Sequence, residues 1–381
     1  MSFPLQQVVQ VTEDHSPANT GVTVMVSQLS NYLAGHGIEV SVLTPETVEN
    51  GTPPNGRLRK FPVLFAGKIW RYPIGMRADL AKLANLAGLV FHIHGVWMAP
   101  QWLAARVLSR KGAPTILSPH NMLNSWLWNN GLARSVKKRI YWHLLAAPAF
   151  HGISVIHAIT PLEREQLAPY FPGKHLEVIA NGIDLEEVDQ YIGAIKARPE
   201  LEFPFILFLG RLHPVKGIEL LIAAYAKSVK SYPFRLLIAG PESSRAYGLK
   251  LKTMIRSLGV EKQVTFLGPV SGQEKWNLYR QAWAVCNPSH TEVLGLVNLE
   301  AAVTGTPVIT TTNTGLVDWP DAGGILVHPQ VEELAQALSQ VFSWTEGERR
   351  DRGQRLRRLV ECRYSWKAIG PQWLELYSSL L

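Results

Sequence analysis

Short, almost uninterrupted apolar runs alternate along this chain with longer stretches whose apolar positions return every three or four residues. The first cycle is LQQVVQV (5–11), a polar loop EDHSPANTG, the amphipathic VTVMVSQLSNYLAGHG closed by glycine, and IEVSVLT (38–44). Continuous apolarity over a handful of residues predicts a strand and the 3.6-residue period a helix, so this is a βαβ unit. GLVFHIH (88–94) and PTILSPH (114–120) predict two further buried strands, each followed by helical sequence. Strands that are apolar on both sides belong to parallel sheets covered by helices on both faces.

After the strand-like LEVIANGID (176–184), the charged stretch LEEVDQYIGAIKARPELEFP predicts a linker with helical content. The pattern then restarts with FILFLG (205–210), FRLLIAG (234–240), QVTFLG (263–268), WAVCNPS (283–289), TPVITTT (306–312) and GGILVHP (323–329). Two β/α domains are therefore expected, 1–185 and 186–360, with a C-terminal segment 361–381. Open parallel sheets bind ligands beyond the carboxyl ends of their strands, which predicts a site in a cleft between the domains. The residues at those ends include Gly21, His94, His120, Asn181, Gly210, Arg211, Gly240, Gly268, Glu292 and Asn313. Neither a GxGxxG after a strand nor a GxxxxGK[ST] occurs, so the usual glycine-rich phosphate loops are missing.

Composition changes this picture only a little. A net charge of +8, from 38 basic and 30 acidic residues, favours an anionic partner. The charge reads as spread along the chain, with no RNP-type pattern, zinc-finger spacing or basic arm, which argues against nucleic acid. Two distant cysteines, Cys286 and Cys362, exclude a disulfide framework. The start lacks the features of a secretory signal and no run of about 18 apolar residues occurs. A cytoplasmic protein is expected, with any membrane contact at the inner face of the plasma membrane.

Four stretches carry candidate chemistry. In GRLHPVKGIELLIAAYA (210–226) a strand ends at Gly210, and Arg211 and Lys216 sit in the loop before an amphipathic helix. A forked guanidinium, an ammonium and helix N–H groups together make a metal-free clamp for a diphosphate. The plainer alternative is two surface cations flanking a helix.

HTEVLGLVNLEAAVTGTPVI (290–309) sets Glu292 and Glu300 among apolar and small residues. A helix beginning at Asn298 as N-cap leaves Gly295 in a loop and places Glu300 in the first helical turn. If the whole interval were helical the carboxylates would lie about 12 Å apart, too far for a shared-proton dyad. That separation suits opposite ends of one hydroxyl-bearing ligand, because carboxylates only accept hydrogen bonds. The plainer alternative has Glu300 favouring a helix dipole and Glu292 exposed.

His92 and His94 share a strand face at metal-ligand spacing, yet no third ligand is evident, so His92 reads as packed or hydrogen-bonded. His120 lies where a strand runs into a loop, a better place to touch substrate. SWLWNNGLARSVKKRIYWHLL (125–145) mixes Trp126, Trp128, Tyr141 and Trp142 with Arg134, Lys137, Lys138 and Arg139. Such a segment docks on an anionic membrane or covers an aromatic core with a solvated face. No DxD carboxylate pair is present, so no metal is inferred.

Together these motifs resemble retaining glycosyltransferases of family 4. Glu292 and Glu300 resemble that family's E-x7-E pair, GRLHPVKG its G-R-L-x(3)-K-G segment, and IANGID its N-G-[VI]-D segment, in matching order over nearly the whole chain. LSPHNML and KKRIYWHLL resemble the branch that builds bacterial exopolysaccharides and envelope polysaccharides. The resemblance implies a GT-B fold of two Rossmann-like domains facing a cleft, acceptor on the first and sugar nucleotide on the second, with C-terminal helices crossing back.

It further implies that Arg211 and Lys216 neutralise the donor diphosphate and that Glu300 holds the ribose hydroxyls. Glu292 would lie beside the donor sugar, supported by amides of Gly295 and Leu296, and His120 near the reacting carbon. Gly210, Gly240, Gly268 and Val270 would border the nucleotide, the last two at the base, and Gly21 would approach the diphosphate. Asn19-Thr20-Gly21 replaces the family's consecutive glycines, and Asn298 stands where proline or an apolar residue is common. The expected reaction is metal-independent transfer of a hexose, glucose first, from a UDP-sugar to a saccharide or lipid-linked saccharide. A sugar-nucleotide epimerase of the same architecture and a non-enzymatic binder of anionic polymer are the alternatives.

Overall fold

The structure, a computed structural model, describes residues 4–15, 20–46, 55–63, 70–125, 132–193, 203–229 and 232–381. Asn19, Trp126, Trp128 and the expected linker over 194–202 lie outside them. The chain forms two compact units, Met1–Gly182 with Ile369–Leu381, and Ile183–Ala368. The second division falls after the helix Glu346–Arg363, which runs through the boundary expected at 360.

The first unit holds seven parallel strands: β1 Gln7–Val11, β2 Glu39–Pro45, β3 Arg57–Phe61, β4 Leu89–His94, β5 Thr115–Ser118, β6 Val155–Ala158 and β7 His175–Val178. Their order is β3-β2-β1-β4-β5-β6-β7. One face packs Val9, Val11, Phe91, Ile93, Leu117 and Ile156 into the main apolar core, under helices such as Ala99–Lys111.

The opposite face is also closed but differs in chemistry. Gln10 on β1, His92 and His94 on β4, Ser118 on β5 and His157 on β6 are all at most 1% exposed. The C-terminal helix Trp366–Ser379 covers His92 and His157, its Trp373 ring 5.2 Å and 4.6 Å from theirs, while the helix Thr20–Gly35 meets Gln10 through Val26 and Ser30. Buried polar groups persist only when hydrogen-bonded, and these are.

The second unit contains β8 Phe205–Leu209, β9 Arg235–Ala239, β10 Val264–Gly268, β11 Ala284–Asn287, β12 Val308–Thr311 and β13 Ile325–Val327, parallel and ordered β10-β9-β8-β11-β12-β13. In each sheet the first strand lies beside a strand reached by a crossover, β1 next to β4 and β8 next to β11. At these switch points the strand order reverses, so the loops leaving the two strands part and open a crevice.

Two strands escaped the hydrophobic pattern. β3, sequence RLRKF, is an edge strand with mostly solvated positions, and β6 has only four residues, one of them a buried histidine. Among the described residues, no helix is long and apolar enough to cross a membrane.

Candidate functional site

The switch point of the second unit is built by the loops after β8 and β11. Beyond Leu209 the chain passes through Gly210 and exposed Arg211, and a short turn Pro214–Lys216 follows, its first amide bonded to His213 Nδ1. Gly217 has φ +64°, and a Cβ there would stand 2.1 Å from the carbonyl oxygen of Pro288. Only glycine lets this loop press so closely on the one after β11. The two loops are also joined by the His290 N–H, which donates to the Val215 carbonyl at 2.8 Å.

Lys216 Nζ donates to Glu292 Oε2 across this seam. Arg211 makes no ion pair among the described residues, so its guanidinium is a cation left open at the carboxyl end of the sheet. Gly210, Gly240 and Gly268 sit at the ends of neighbouring β8, β9 and β10. They are tied by Gly210 N–H to the Ala239 carbonyl (3.0 Å) and Gly240 N–H to the Gly268 carbonyl (2.7 Å). Val270 follows two residues beyond β10.

The acidic stretch is arranged differently from the sequence expectation. The helix is Leu296–Val303, with Gly295 as N-cap at φ 71°. A Cβ on Gly295 would stand 2.7 Å from Asn298 Nδ2 and 3.1 Å from Glu292 Cγ. Asn298 is therefore not the cap: it is buried inside the helix, accepting from Asn287 Nδ2 at 3.0 Å and donating to the Leu294 carbonyl at 3.2 Å. Glu300 falls beyond the first turn and is held by side chains. It accepts from Lys275 Nζ (2.9 Å) and the Tyr279 hydroxyl (2.8 Å), both on the helix Gly272–Gln281.

Each acid thus has its own lysine. A carboxylate offers about four lone-pair sites, so Glu300 keeps acceptor capacity for further hydroxyls after meeting Lys275 and Tyr279. Sequence reasoning missed these two partners; the signal was their i, i+4 spacing on one helix face.

In the first unit Gly21 is the exposed second residue of the helix Thr20–Gly35, and a Cβ added to it would touch nothing. His120 stands two residues beyond β5, half-buried, and its ring is placed by a chain of bonds whose polarity can be followed. The Ser30 hydroxyl donates to the Val26 carbonyl at 2.7 Å, so it accepts from Gln10 Nε2 at 2.8 Å. That leaves Gln10 Oε1 to accept from His94 Nε2–H at 2.9 Å. His94 Nδ1 then accepts from His120 Nε2–H at 3.0 Å, and His120 Nδ1 carries the free lone pair.

A second chain lies beside the first. Tyr377 OH donates to His92 Nδ1 (2.7 Å), His92 Nε2–H to Ser118 Oγ (2.6 Å), Ser118 to His157 Nδ1 (2.6 Å), and His157 Nε2–H to the Ile179 carbonyl (2.7 Å). Every histidine in the two chains is served in its neutral form. Burial drives His92 and His94 well below the ordinary range, takes His157 to about 4 and His120 to about 3. His92 is accordingly a hydrogen-bonded core residue. Among the described residues no three His, Cys, Asp or Glu side chains are grouped to hold a metal.

Of the basic aromatic segment, the helix Leu132–Tyr141 and its π-helical continuation Trp142–Ala146 are described. Trp142 is buried against Phe150, Tyr170 and Phe171, and Tyr141 accepts from Trp70 Nε1 at 3.3 Å. These aromatic residues serve the core. The exposed face carries Val136, Ile140 and Leu144 with Lys137 and Arg139.

Residues 19–187 match the family Glycosyltransferase Family 4, and residues 194–358 match Glycosyl transferases group 1. The chain is 28% identical over 400 residues to a D-inositol 3-phosphate glycosyltransferase of Kineococcus radiotolerans, covering 94% of this chain and 90% of that protein. It is 34% identical over 227 residues to an uncharacterized glycosyltransferase of Methanocaldococcus jannaschii, covering 56% and 57%.

Among solved structures it resembles sucrose-phosphate synthase of Thermosynechococcus elongatus, with TM-score 0.74, 22% identity, and 98% and 99% of the chains covered. It also resembles Anabaena HepE in complex with UDP and glucose, with TM-score 0.73, 17% identity, and 98% and 100% covered. The two sheets, their switch points and the two matched domains lead to one assignment: the chain is a glycosyltransferase of GT-B fold, a Family 4 domain followed by a group 1 domain.

Proposed function

We propose that this glycosyltransferase moves a hexose, glucose first, from a UDP-sugar to a hydroxyl of a saccharide or lipid-linked saccharide, with retention of configuration and without a metal. The observation that carries the reading is the second unit's switch point, where open Arg211 stands beside the Lys216–Glu292 pair and Glu300 retains free lone pairs. A diphosphate fits against Arg211, Lys216 and the main-chain amides at Gly295 and Leu296. Fixed donors of this kind stabilise charge as it grows on a leaving group. Glu292 accepts from hydroxyls of the donor sugar, and Glu300 from the ribose.

In the proposed step the C1–O bond to UDP breaks with its electron pair on the β-phosphate. The acceptor oxygen bonds C1 from the same face and its proton passes to a phosphate oxygen. No enzyme nucleophile is required. His120, uncharged and anchored through His94, offers Nδ1 to a substrate hydroxyl. The test is the anomeric configuration of the product formed from UDP-α-glucose with a chelator present.

A role in envelope or exopolysaccharide synthesis draws support from the first unit's charge. Between Asp79 and Glu163 the sequence has eight lysines and arginines and no acidic residue, so a charge equal to the whole net +8 lies there rather than being spread along the chain. Val136, Ile140 and Leu144, at spacing four on one helix face and 53%, 54% and 71% exposed, form an aliphatic ridge flanked by Lys137 and Arg139. This is the face that would bring the enzyme to a lipid-linked acceptor on an anionic bilayer. Sedimentation with anionic vesicles should be several-fold greater than with neutral ones and weaken with salt. Ile140→Asp with Leu144→Asp should abolish it. Equal binding to both vesicle types would contradict the electrostatic part of this reading, and no binding to either would remove the membrane altogether. The relatives named for an inositol phosphate acceptor favour a second reading, a small phosphorylated polyol as acceptor.

A further inference from the structure

Thr160 and Glu163 stand at N-cap and third position of the helix Pro161–Leu167, a spacing that ordinarily makes a capping box. Half of the box is present, since Thr160 Oγ1 accepts from the Glu163 N–H at 3.1 Å. The other half is diverted. Glu163 Oε2 accepts from the Ile159 N–H at 2.7 Å, and Oε1 reaches 42 residues back to accept the Asn121 N–H at 2.6 Å.

The segment it reaches is strained. His120 and Asn121 have φ of 52° and 62°, two consecutive non-glycine residues in the left-handed region. Such a turn persists only where its surroundings over-determine it, and strain of this kind gathers at functional sites. Glu163 is 3% exposed and makes no ion pair with lysine or arginine among the described residues, so burial raises its carboxyl to about 7 against the pull of its two N–H donors. The same helix grips the loop again through Gln166 Oε1, which accepts from Asn124 Nδ2 at 2.9 Å.

We propose that Glu163 is a positioning residue: by accepting the Asn121 and Ile159 main-chain N–H groups it holds the left-handed His120-Asn121 turn in the shape that presents the His120 ring to substrate. The inference rests on the reading of His120 as substrate-facing. His120 is then fixed from two sides, its ring through His94 and Gln10 and its backbone through Glu163. A glutamine at 163 has one acceptor oxygen for two converging N–H donors, so its amide must turn an N–H toward one of them and the turn is released.

The experiment uses the full-length protein, glucose release or transfer from UDP-glucose, and UDP binding by calorimetry. Glu163→Gln should lower kcat about 10- to 100-fold, the scale of a displaced catalytic group, while the Kd for UDP moves less than about twofold. Asn121→Gly, which keeps the N–H and removes the left-handed penalty, should restore most of the lost kcat when combined with Glu163→Gln. Asn121→Val, which strains the turn without touching Glu163, should reproduce the kcat loss and keep the chain testable if Glu163→Gln does not fold. A lowered melting temperature with kcat unchanged, or a kcat loss that Asn121→Gly does not relieve, overturns the proposal. Full activity of His120→Ala overturns the reading of His120 and this inference with it. An inactive His120→Ala beside a fully active Glu163→Gln overturns this inference alone.

Discussion

Lys216→Ala and Glu292→Gln should each lower kcat for sugar transfer by about 100- to 1000-fold, the usual cost of removing one preorganised group that meets growing charge. The structure adds a constraint that the sequence motif alone does not. Because Lys216 Nζ and the Glu292 carboxylate are bonded to each other, the two substitutions should not multiply. The double variant should fall within about tenfold of the worse single one. Arg211, which has no such partner among the described residues, should add its full effect to either. Steady-state kinetics of the two single variants, their double, Arg211→Ala and its combination with each single variant checks this, and independent, multiplying losses for Lys216 and Glu292 would show that the pair does not act as a unit.

The second large effect is on stability. The unfolded chain protonates His92, His94, His120 and His157 near pH 6.5, while the folded first unit keeps all four neutral well below that. Their folded values are depressed, so below pH 6.5 the unfolded state binds more protons and stability falls with falling pH. Between pH 6.5 and 5.5 each histidine should remove about 1 kcal/mol, roughly 4 kcal/mol in all. Glu163 works in the opposite direction: its value is raised to about 7, so it takes up a proton in the folded state and returns about 1 kcal/mol over the same interval. The net loss, about 3 kcal/mol, is a large share of the 5–15 kcal/mol typical of a domain. Urea unfolding of the first unit at pH 7.5, 6.5 and 5.5 measures it. A midpoint that does not move across this range would contradict the neutral chains described above.

Much of the fold could be read from hydrophobic pattern because its strands are buried on both faces. LVFHIH in β4 and FILFL in β8 are apolar enough to be recognised without partners. β3 was not, since an edge strand keeps polar residues. Gly295 displaced Asn298 as the helix start because a left-handed glycine cap allows the close approach of Glu292 and Asn298 that a side chain would block.

The residues proposed to hold the donor could be picked out as a motif because Arg211 and Lys216 share one loop and Glu292 and Glu300 share one turn and helix. What tunes them could not. Lys275 and Tyr279 reach Glu300 from a separate helix, and Glu163 reaches the His120 loop across 42 residues. Gln10, Ser30 and His94 set the His120 tautomer only because β1 and β4 are neighbours, a fact of topology that no local spacing encodes.

The proposed reaction is retaining, metal-independent transfer of glucose from UDP-glucose. The most direct measurement incubates the purified protein with UDP-α-glucose, a chelator and a panel of saccharide, lipid-linked saccharide and phosphorylated polyol acceptors, and reads the product's anomeric proton by NMR. The account predicts an α-glucoside formed with the chelator present. A β-glucoside, or transfer that appears only when a divalent metal is restored, would contradict it.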